Sequence, residues 1–412
     1  MSARAPGRHA LAFIFITVLI DTIGFGIVIP VFPKLVMEIN GGDISDAARI
    51  GGWLAFAYAA MQFLSGPFMG NLSDRFGRRP VLIACLLAFA IDYVIMGFAG
   101  SLALLFVGRL IAGFTGACYA SAYAYLADCT PPEKRAHHFG IVGMAFGFGF
   151  IIGPALGGLL ATYGVRVPFF AAAALAFANA LYGWLVLPES LPREKRRPID
   201  LRRANPVGAL VQLRRLHPSV LVLATALFVW QVGHQALQGT WSFYTIYRFG
   251  WSEAAVGLSL AAVGLAAAIV QGGVTGILIP RLGERRAVVL GMSAGTAAFV
   301  IYGLTPVGWG MYVGIAVGAL AGIVYPSLNA MMSGQVEEDA QGELQGALSS
   351  LASLATIIGP PVMTQLFATF SEPGAPVHVP GVAFLLAAVL SLVALSLTLR
   401  APRTAPIAAA GT

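Results

Sequence analysis

The chain has 412 residues, of which 58% are hydrophobic and only 10% charged, and its net charge is +7. A water-soluble domain carries about 25% charged residues, so a soluble globular fold is excluded and most of the surface must face hydrocarbon. A helix needs roughly 20 apolar residues to cross a bilayer core about 30 Å thick. In chain order, such stretches occupy 10–33, 50–71, 80–99, 101–126, 138–161, 167–187, 218–244, 255–279, 287–305, 309–332, 344–368 and 381–399. Val81–Ala90 and Phe384–Leu399 are apolar on every face, unlike the alternating strands of a membrane barrel. The 49 glycines suit close helix packing. The expected fold is all-α and integral to the membrane, with twelve transmembrane helices.

The first stretch is not followed by an A-x-A-like cleavage site. It closes on Ile29-Pro-Val-Phe-Pro33, and is expected to remain as a membrane helix. Short loops rich in Lys and Arg favour the cytoplasm. With the amino terminus inside, only Lys34, Arg49, Arg166 and Arg248 fall outside, and Arg109 alone lies within a helix. The basic residues of 188–217 and of the even-numbered loops all fall inside, apart from the acidic loop 333–343 with Glu337, Glu338, Asp339 and Glu343. A multi-pass protein of a bacterial inner membrane with both termini cytoplasmic is therefore expected. The positive charge reads as a topology signal and calls for no nucleic-acid partner. Cys85, Cys118 and Cys129 show neither a disulfide framework nor metal spacing. With no H-E-x-x-H, G-x-S-x-G or Walker loop in the chain, neither an enzyme nor a metal or other cofactor is expected.

The segment 188–217 divides the stretches six and six, and a single shift of 206 residues relates the two sets. It carries Gly70 onto Gly276, Arg75 onto Arg281, Gly77 onto Gly283, Gly116 onto Gly322, Gly140 onto Gly346, and Gly153-Pro154 onto Gly359-Pro360. The predicted organisation is a six-helix bundle over 1–187, a cytoplasmic linker over 188–217, and a second bundle over 218–412 that ends in a short cytoplasmic tail. A substrate cavity between two such halves near the midplane follows from this repeat.

Chemistry concentrates at few places. The loop over 70–82 reads GNLSDRFGRRPVL, with glycines for a tight turn, Asp74 to cap or pair, and Arg75, Arg78 and Arg79 to hold it inside. Gly140, Gly149, Gly153-Pro154 and Gly157-Gly158 form a one-sided small-residue pattern with a proline that kinks the helix. Its simplest reading is a helix–helix seam. Arg109 stays charged and must meet a partner or water within the bilayer. It begins Arg109-Leu-Ile-Ala-Gly113. Asp21 and Asp92 are the acids deep in the spans, where ionisable groups are functional candidates. A hydrogen-bonding role between helices is the alternative for each. Gln231, His234, Gln235 and Gln238 recur on one helical face and are expected to line the cavity with Gln62, Gln271 and Asn329. Trp241, Phe243, Tyr244 and Trp251 read either as an interfacial belt or as a stacking surface.

The loop over 70–82 closely resembles the signature loop of the major facilitator superfamily, and Gly276-Ile-Leu-Ile-Pro-Arg-Leu-Gly-Glu-Arg-Arg286 resembles its degenerate second copy. The glycine–proline pattern from Gly140 to Gly158 is similar to the element that the superfamily associates with antiporters. Along both halves the chain resembles the tetracycline-resistance branch of drug/proton antiporters. The likeness is carried by Asp21-Thr-Ile-Gly24 with Pro30, Asp92-Tyr93, Leu126-Ala-Asp128, His138-Phe139-Gly140, Leu187-Pro-Glu-Ser190, Leu282-Gly-Glu-Arg-Arg286 and Gln341-Gly-Glu-Leu-Gln-Gly346. The resemblance implies a proton-coupled exporter of small amphipathic molecules that works by alternating access as a monomer. Its partners would be the small-molecule substrate, protons and the lipid bilayer. Asp21, Asp92 and Arg109 would couple protons, while Gly70, Asp74, Arg75, Gly77, Arg78, Arg79 and Asp128 would gate. A transporter of the same fold for a sugar, siderophore or lipid-like metabolite is the alternative. The tetracycline exporters carry a histidine in helix 8 and an aspartate in helix 9. Ala267 and Gly295 stand at those positions here, and tetracycline is therefore not the expected substrate.

Overall fold

The computed structural model describes residues 8–117, 119–198, 218–337 and 340–402, and every regular element among them is helical. Expectations placed on Arg4, Cys118, Arg202, Arg203, Arg214, Arg215, Glu338, Asp339 and Arg403 lie outside the described residues. Helix α1 (Arg8–Val28) stops two residues before Pro30. A short helix α2 (Phe32–Asn40) follows, with Pro33 in its first turn, where the missing N–H is no loss. Then come α3 (Ile44–Phe76), α4 (Arg78–Phe98), α5 (Leu102–Gly116), α6 (Tyr119–Cys129), α7 (Pro132–Leu160) and α8 (Val167–Val186). The second series is α9 (Pro218–Phe249), α10 (Glu253–Ile269), α11 (Thr275–Leu282), α12 (Glu284–Leu304), α13 (Trp309–Gly318), α14 (Val324–Ser333), α15 (Gln341–Ser371) and α16 (Val382–Arg400).

Among the described residues, 11 helical stretches are long and apolar enough to cross a membrane. Three of them join two helices each: α5 with α6, α10 with α11 through a π turn at Val270–Val274, and α13 with α14 through a 3-10 turn at Ala319–Ile323. Helix α3 is continuous over 33 residues but falls outside the set. Its polar residues, among them Gln62, Asn71, Asp74 and Arg75, interrupt the apolar run. Several helices outlast the apolar stretch that predicted them: α3 starts at Ile44, α9 ends at Phe249, and α15 covers Gln341–Ser371. Hydropathy marks the hydrocarbon, whereas backbone hydrogen bonding carries a helix on into the interface. Side chains such as Leu64, Phe98, Leu185 and Trp309 are exposed to 68% or more. Such an apolar surface is a liability in water and the ordinary exterior of a protein in lipid.

Contacts divide the chain into two compact units, each assembled from three segments. Unit 1 is Met1–Gly42, Ala57–Asn205 and Trp251–Gly264; unit 2 is Asp43–Phe56, Pro206–Gly250 and Leu265–Thr412. The start of α3 thus goes with unit 2. There Gln365 donates to the Arg49 carbonyl at 3.0 Å and Arg49 pairs with Glu372. The start of α10 goes with unit 1, where Glu253 pairs with Lys34 at 3.0 Å. The core of unit 1 gathers Phe13, Ile14, Val81, Cys85, Tyr125 and Leu187. That of unit 2 gathers Leu223, Leu227, Met292, Leu328, Leu344 and Leu348.

The glycine pattern of α7 is the main seam of unit 1. A Cβ on Gly153 would lie 2.7 Å from the Ile23 carbonyl and 2.9 Å from the Gly26 Cα, and one on Gly149 would lie 2.6 Å from the Thr22 Cβ. Gly157 faces the Ile27 carbonyl, whereas Gly158 faces Glu253 and Ala254 of α10. Nothing lies near a Cβ at Gly140. Gly24 and Gly26, which follow Asp21, are buried against Tyr93 and against Gly153-Pro154 respectively, so they pack helices. Gly153→Leu must push α1 away from α7 against backbone atoms that have no rotamer to move. The expected cost is about 1–3 kcal/mol, seen as a lower midpoint of thermal unfolding of the purified protein. Gly140→Ala should leave that midpoint in place.

Candidate functional site

The intramembrane charges of unit 1 meet. Asp92, with no exposed surface, accepts from the Arg109 guanidinium (Nη2) at 3.0 Å. The same nitrogen lies 2.7 Å from the Met96 sulfur, and the guanidinium sits 5.8 Å from the Tyr58 ring centre. Burying a charge without a partner costs several kcal/mol, which is why α4 and α5 present these two residues to each other. The approach needs Gly108, since a Cβ there would stand 2.6 Å from Asp92 Oδ1. That oxygen has no hydrogen-bond partner among the described residues. Gly113 and Gly116 of α5 receive α3 at Tyr58, Met61 and Gln62, and Gln62 donates to the Tyr58 hydroxyl at 3.4 Å. Tyr58 and Tyr93 lie within electrostatic reach of Asp21, Asp92 and Arg109 alike. The three ionisable residues singled out in the sequence therefore share one neighbourhood, and two tyrosines that the sequence reading passed over stand among them.

The polar face of α9 sits in unit 2. His234 lies tilted against Trp230 at 4.3 Å between ring centres and meets Phe299 edge-on at 5.1 Å. Its Nδ1, the Gln231 amide nitrogen and the Gln235 amide oxygen are buried without a hydrogen-bond partner among the described residues. The other end of the Gln235 amide donates to Thr356 at 3.4 Å. Gln238 is exposed. Gln271 is exposed on the π turn, a kind of bulge frequent at functional sites. Asn329 is tied to Gln345 at 2.8 Å. Trp241, Phe243 and Tyr244 form neither a belt nor an open stacking surface: all three are buried. Trp241 meets Tyr302 edge-on at 5.2 Å, and the Tyr244 hydroxyl donates to the Tyr302 carbonyl at 2.8 Å. Their amphipathic rings gave a signal that burial in a helix bundle shares with the interface.

The loop between α3 and α4 is a charge cluster. Gly77 takes φ +106, a conformation that favours glycine, and a side chain there would also strike Arg196 Nη2 at 2.8 Å. Arg78 pairs with Asp74 at 2.6 Å and with Asp128 at 3.3 Å, and donates to Ser73 at 3.0 Å. Arg79 donates to the Trp184 carbonyl at the end of α8. Glu189, which the sequence reading left out of the cluster, accepts from the Arg78 backbone N–H at 2.9 Å and lies 3.7 Å from Arg196. Ser190 adds a hydroxyl to Asp128. The Leu-Pro-Glu-Ser sequence was the available signal, but no spacing rule joins it to a loop more than a hundred residues away. In unit 2 the counterpart of Gly77, Gly283, again has positive φ (+76). Arg285, the counterpart of Arg79, donates to the Leu399 and Ala401 carbonyls at the end of α16. Pro280 and Gly334 stand where the shift would place Asp74 and Asp128.

The sequence profile of the Major Facilitator Superfamily matches residues 14–360 and, in a second alignment, 276–411. The chain belongs to this superfamily. Within it, the chain is 43% identical over 361 residues to the class C tetracycline resistance protein of Escherichia coli, covering 88% of this chain and 90% of the relative. It is 30% identical to multidrug resistance protein 2 of Bacillus subtilis, over 92% and 91% of the two chains. The human organic anion transporter MFSD10 (TETRAN) superposes with a TM-score of 0.69 at 26% identity, over 96% of this chain and all of that one.

In this superfamily member the space beside Gly295 is filled. A Cβ there would lie 2.5 Å from the Trp230 ring and 3.4 Å from the Ala321 Cβ. The indole that lies tilted against His234 thus occupies the space that a side chain at 295 would need. Gly295→Asp should destabilise the protein by about 1–3 kcal/mol through overpacking. Trp230→Ala should restore part of that loss. A double-mutant cycle on unfolding of the purified protein is expected to show coupling of about 1 kcal/mol or more, whereas additive effects would place the two residues apart.

Proposed function

We propose that the protein is a proton-coupled antiporter that exports small amphipathic molecules, and that it does so by alternating access between two six-helix halves joined by 188–217. The observation that carries the reading is the buried Asp92–Arg109 pair, with Asp21 in the same neighbourhood. The relatives named for tetracycline and multidrug resistance support the direction of transport and the drug class. The skew of basic residues supports a bacterial inner membrane with both termini in the cytoplasm, and a monomer is sufficient for the chemistry.

The division of labour follows from the surroundings of each acid. Asp92 is already neutralised by a guanidinium that cannot lose its proton, so it holds geometry and helps to shape the binding region. Asp21, half-buried on α1, carries the exchangeable proton. Releasing that proton inward and taking one from outside links its charge to the state of the carrier, because a charged carboxylate is disfavoured away from water. Substrate and proton then compete at Asp21, and substrate binding weakens as pH falls. The cluster around Asp74, Arg78, Asp128 and Glu189 acts on the equilibrium between carrier states, as a set of ion pairs that can be made and broken.

Asp21→Asn, isosteric with the protonated acid, should abolish substrate accumulation driven by an imposed proton gradient in everted vesicles while leaving membrane insertion intact. Accumulation at the wild-type rate would remove Asp21 from the coupling role. In a host without its own pumps, expression should raise tolerance to other amphipathic drugs with little or no gain against tetracycline, because Ala267 and Gly295 offer no ionisable group. A large gain against tetracycline would show that the carboxylates of unit 1 suffice for that substrate.

A further inference from the structure

The charge site, the polar face of α9 and the loop cluster leave one feature of unit 1 unused. A groove of about 660 Å³ lies between the second half of α3, the first half of α4 and α5. Met69, Phe76, Val81, Ala84, Ala88 and Phe114 are among its walls. Thr115 reaches it with a hydroxyl, but that hydroxyl donates to the Ile111 and Ala112 carbonyls of its own helix at 2.9 and 3.2 Å. Cys85 adds a buried thiol. The lining therefore offers no strong hydrogen-bonding group, and a polar solute would lose its water without compensation. Phe76 and Leu110 are 50% and 43% exposed at its edge, so the groove opens on the apolar exterior.

Along α3 the walls run from Met61 to Phe76, about 22 Å at 1.5 Å per residue, which exceeds half of a hydrocarbon core about 30 Å thick. That is room for an extended acyl chain. The end at Phe76 carries a cation: the Arg75 guanidinium lies 5.3 Å from the Phe76 ring centre. Arg78 is bound to Asp74 and Asp128 and Arg79 to the Trp184 carbonyl, whereas Arg75 is exposed and makes no ion pair among the described residues. A guanidinium at the mouth of an apolar slot matches a phosphate at the head of an apolar chain. We infer that this groove seats one acyl chain of an anionic phospholipid, with the headgroup phosphate on Arg75.

The test uses the full-length protein in phosphatidylcholine vesicles that contain a trace of phosphatidylglycerol with a photoreactive group midway along one acyl chain. A phosphatidylcholine probe of the same design is the control. After irradiation, peptides are mapped by mass spectrometry. The glycerol probe should label Met61–Phe76 and Val81–Ala88 severalfold more than exposed apolar stretches of unit 2 such as those around Ile277 and Leu290. Ala84→Trp should fill the groove and remove that excess. If this variant fails to fold, Ala88→Leu and competition by unlabelled phosphatidylglycerol on the wild-type protein give the same reading. Arg75→Gln should bring the glycerol probe down to the level of the choline probe. Labelling spread evenly over the exposed face, or unchanged when the groove is filled or competed, would overturn the acyl-chain site. Equal labelling by both probes, indifferent to Arg75→Gln, would overturn the anionic headgroup.

Discussion

A hydrocarbon slab offers nothing for a polar atom to bond to, and every other feature of this protein answers to that constraint. Backbone groups satisfy each other inside helices because no other open arrangement can. Helices that hold one another without a hydrophobic driving force do so by close approach. This is why α1 and α7 meet backbone to backbone along Gly149, Gly153 and Gly157. A charge survives only against its opposite. Arg109 and Asp92 form such a pair, and Gly108 is shaped by it as surely as either member.

The same constraint explains what could be read from the chain. Apolar runs are forced by the bilayer, and they located the spanning helices to within a few residues at most ends. The loop at 70–82 was legible because a positive-φ glycine and three arginines must recur at fixed spacing to turn there. Asp21, Asp92 and Arg109 stood out in the sequence because few ionisable groups are tolerated at that depth.

What stayed hidden depends on which helix faces which. Glu189 joins the cluster at Arg78 only through the fold, and Tyr58 and Tyr93 look like any other aromatic residues until the charges are seen around them. Nor does a glycine at 295 announce that Trp230 fills the space beside it. Trp241 and Tyr244 carried the composition of an interfacial belt and turned out to be core, since one side chain serves both places. Helix α3 was predicted six residues short at its start and five at its end, because polarity ends an apolar run long before it ends a helix.

The two loops related by the 206-residue shift have parted in a specific way. Both keep a glycine turned to positive φ, and both keep an arginine on the closing carbonyls of the last helix of their series. Only the first keeps its carboxylates. The turn and the arginine-to-carbonyl contact tie helix ends together in each unit, whereas the carboxylates of the first loop add ion pairs within unit 1. The two copies therefore share their mechanical ties and differ in their electrostatic ones. The ionic strength of the surrounding solution, which weakens exposed pairs, therefore bears on the first loop more than on its counterpart.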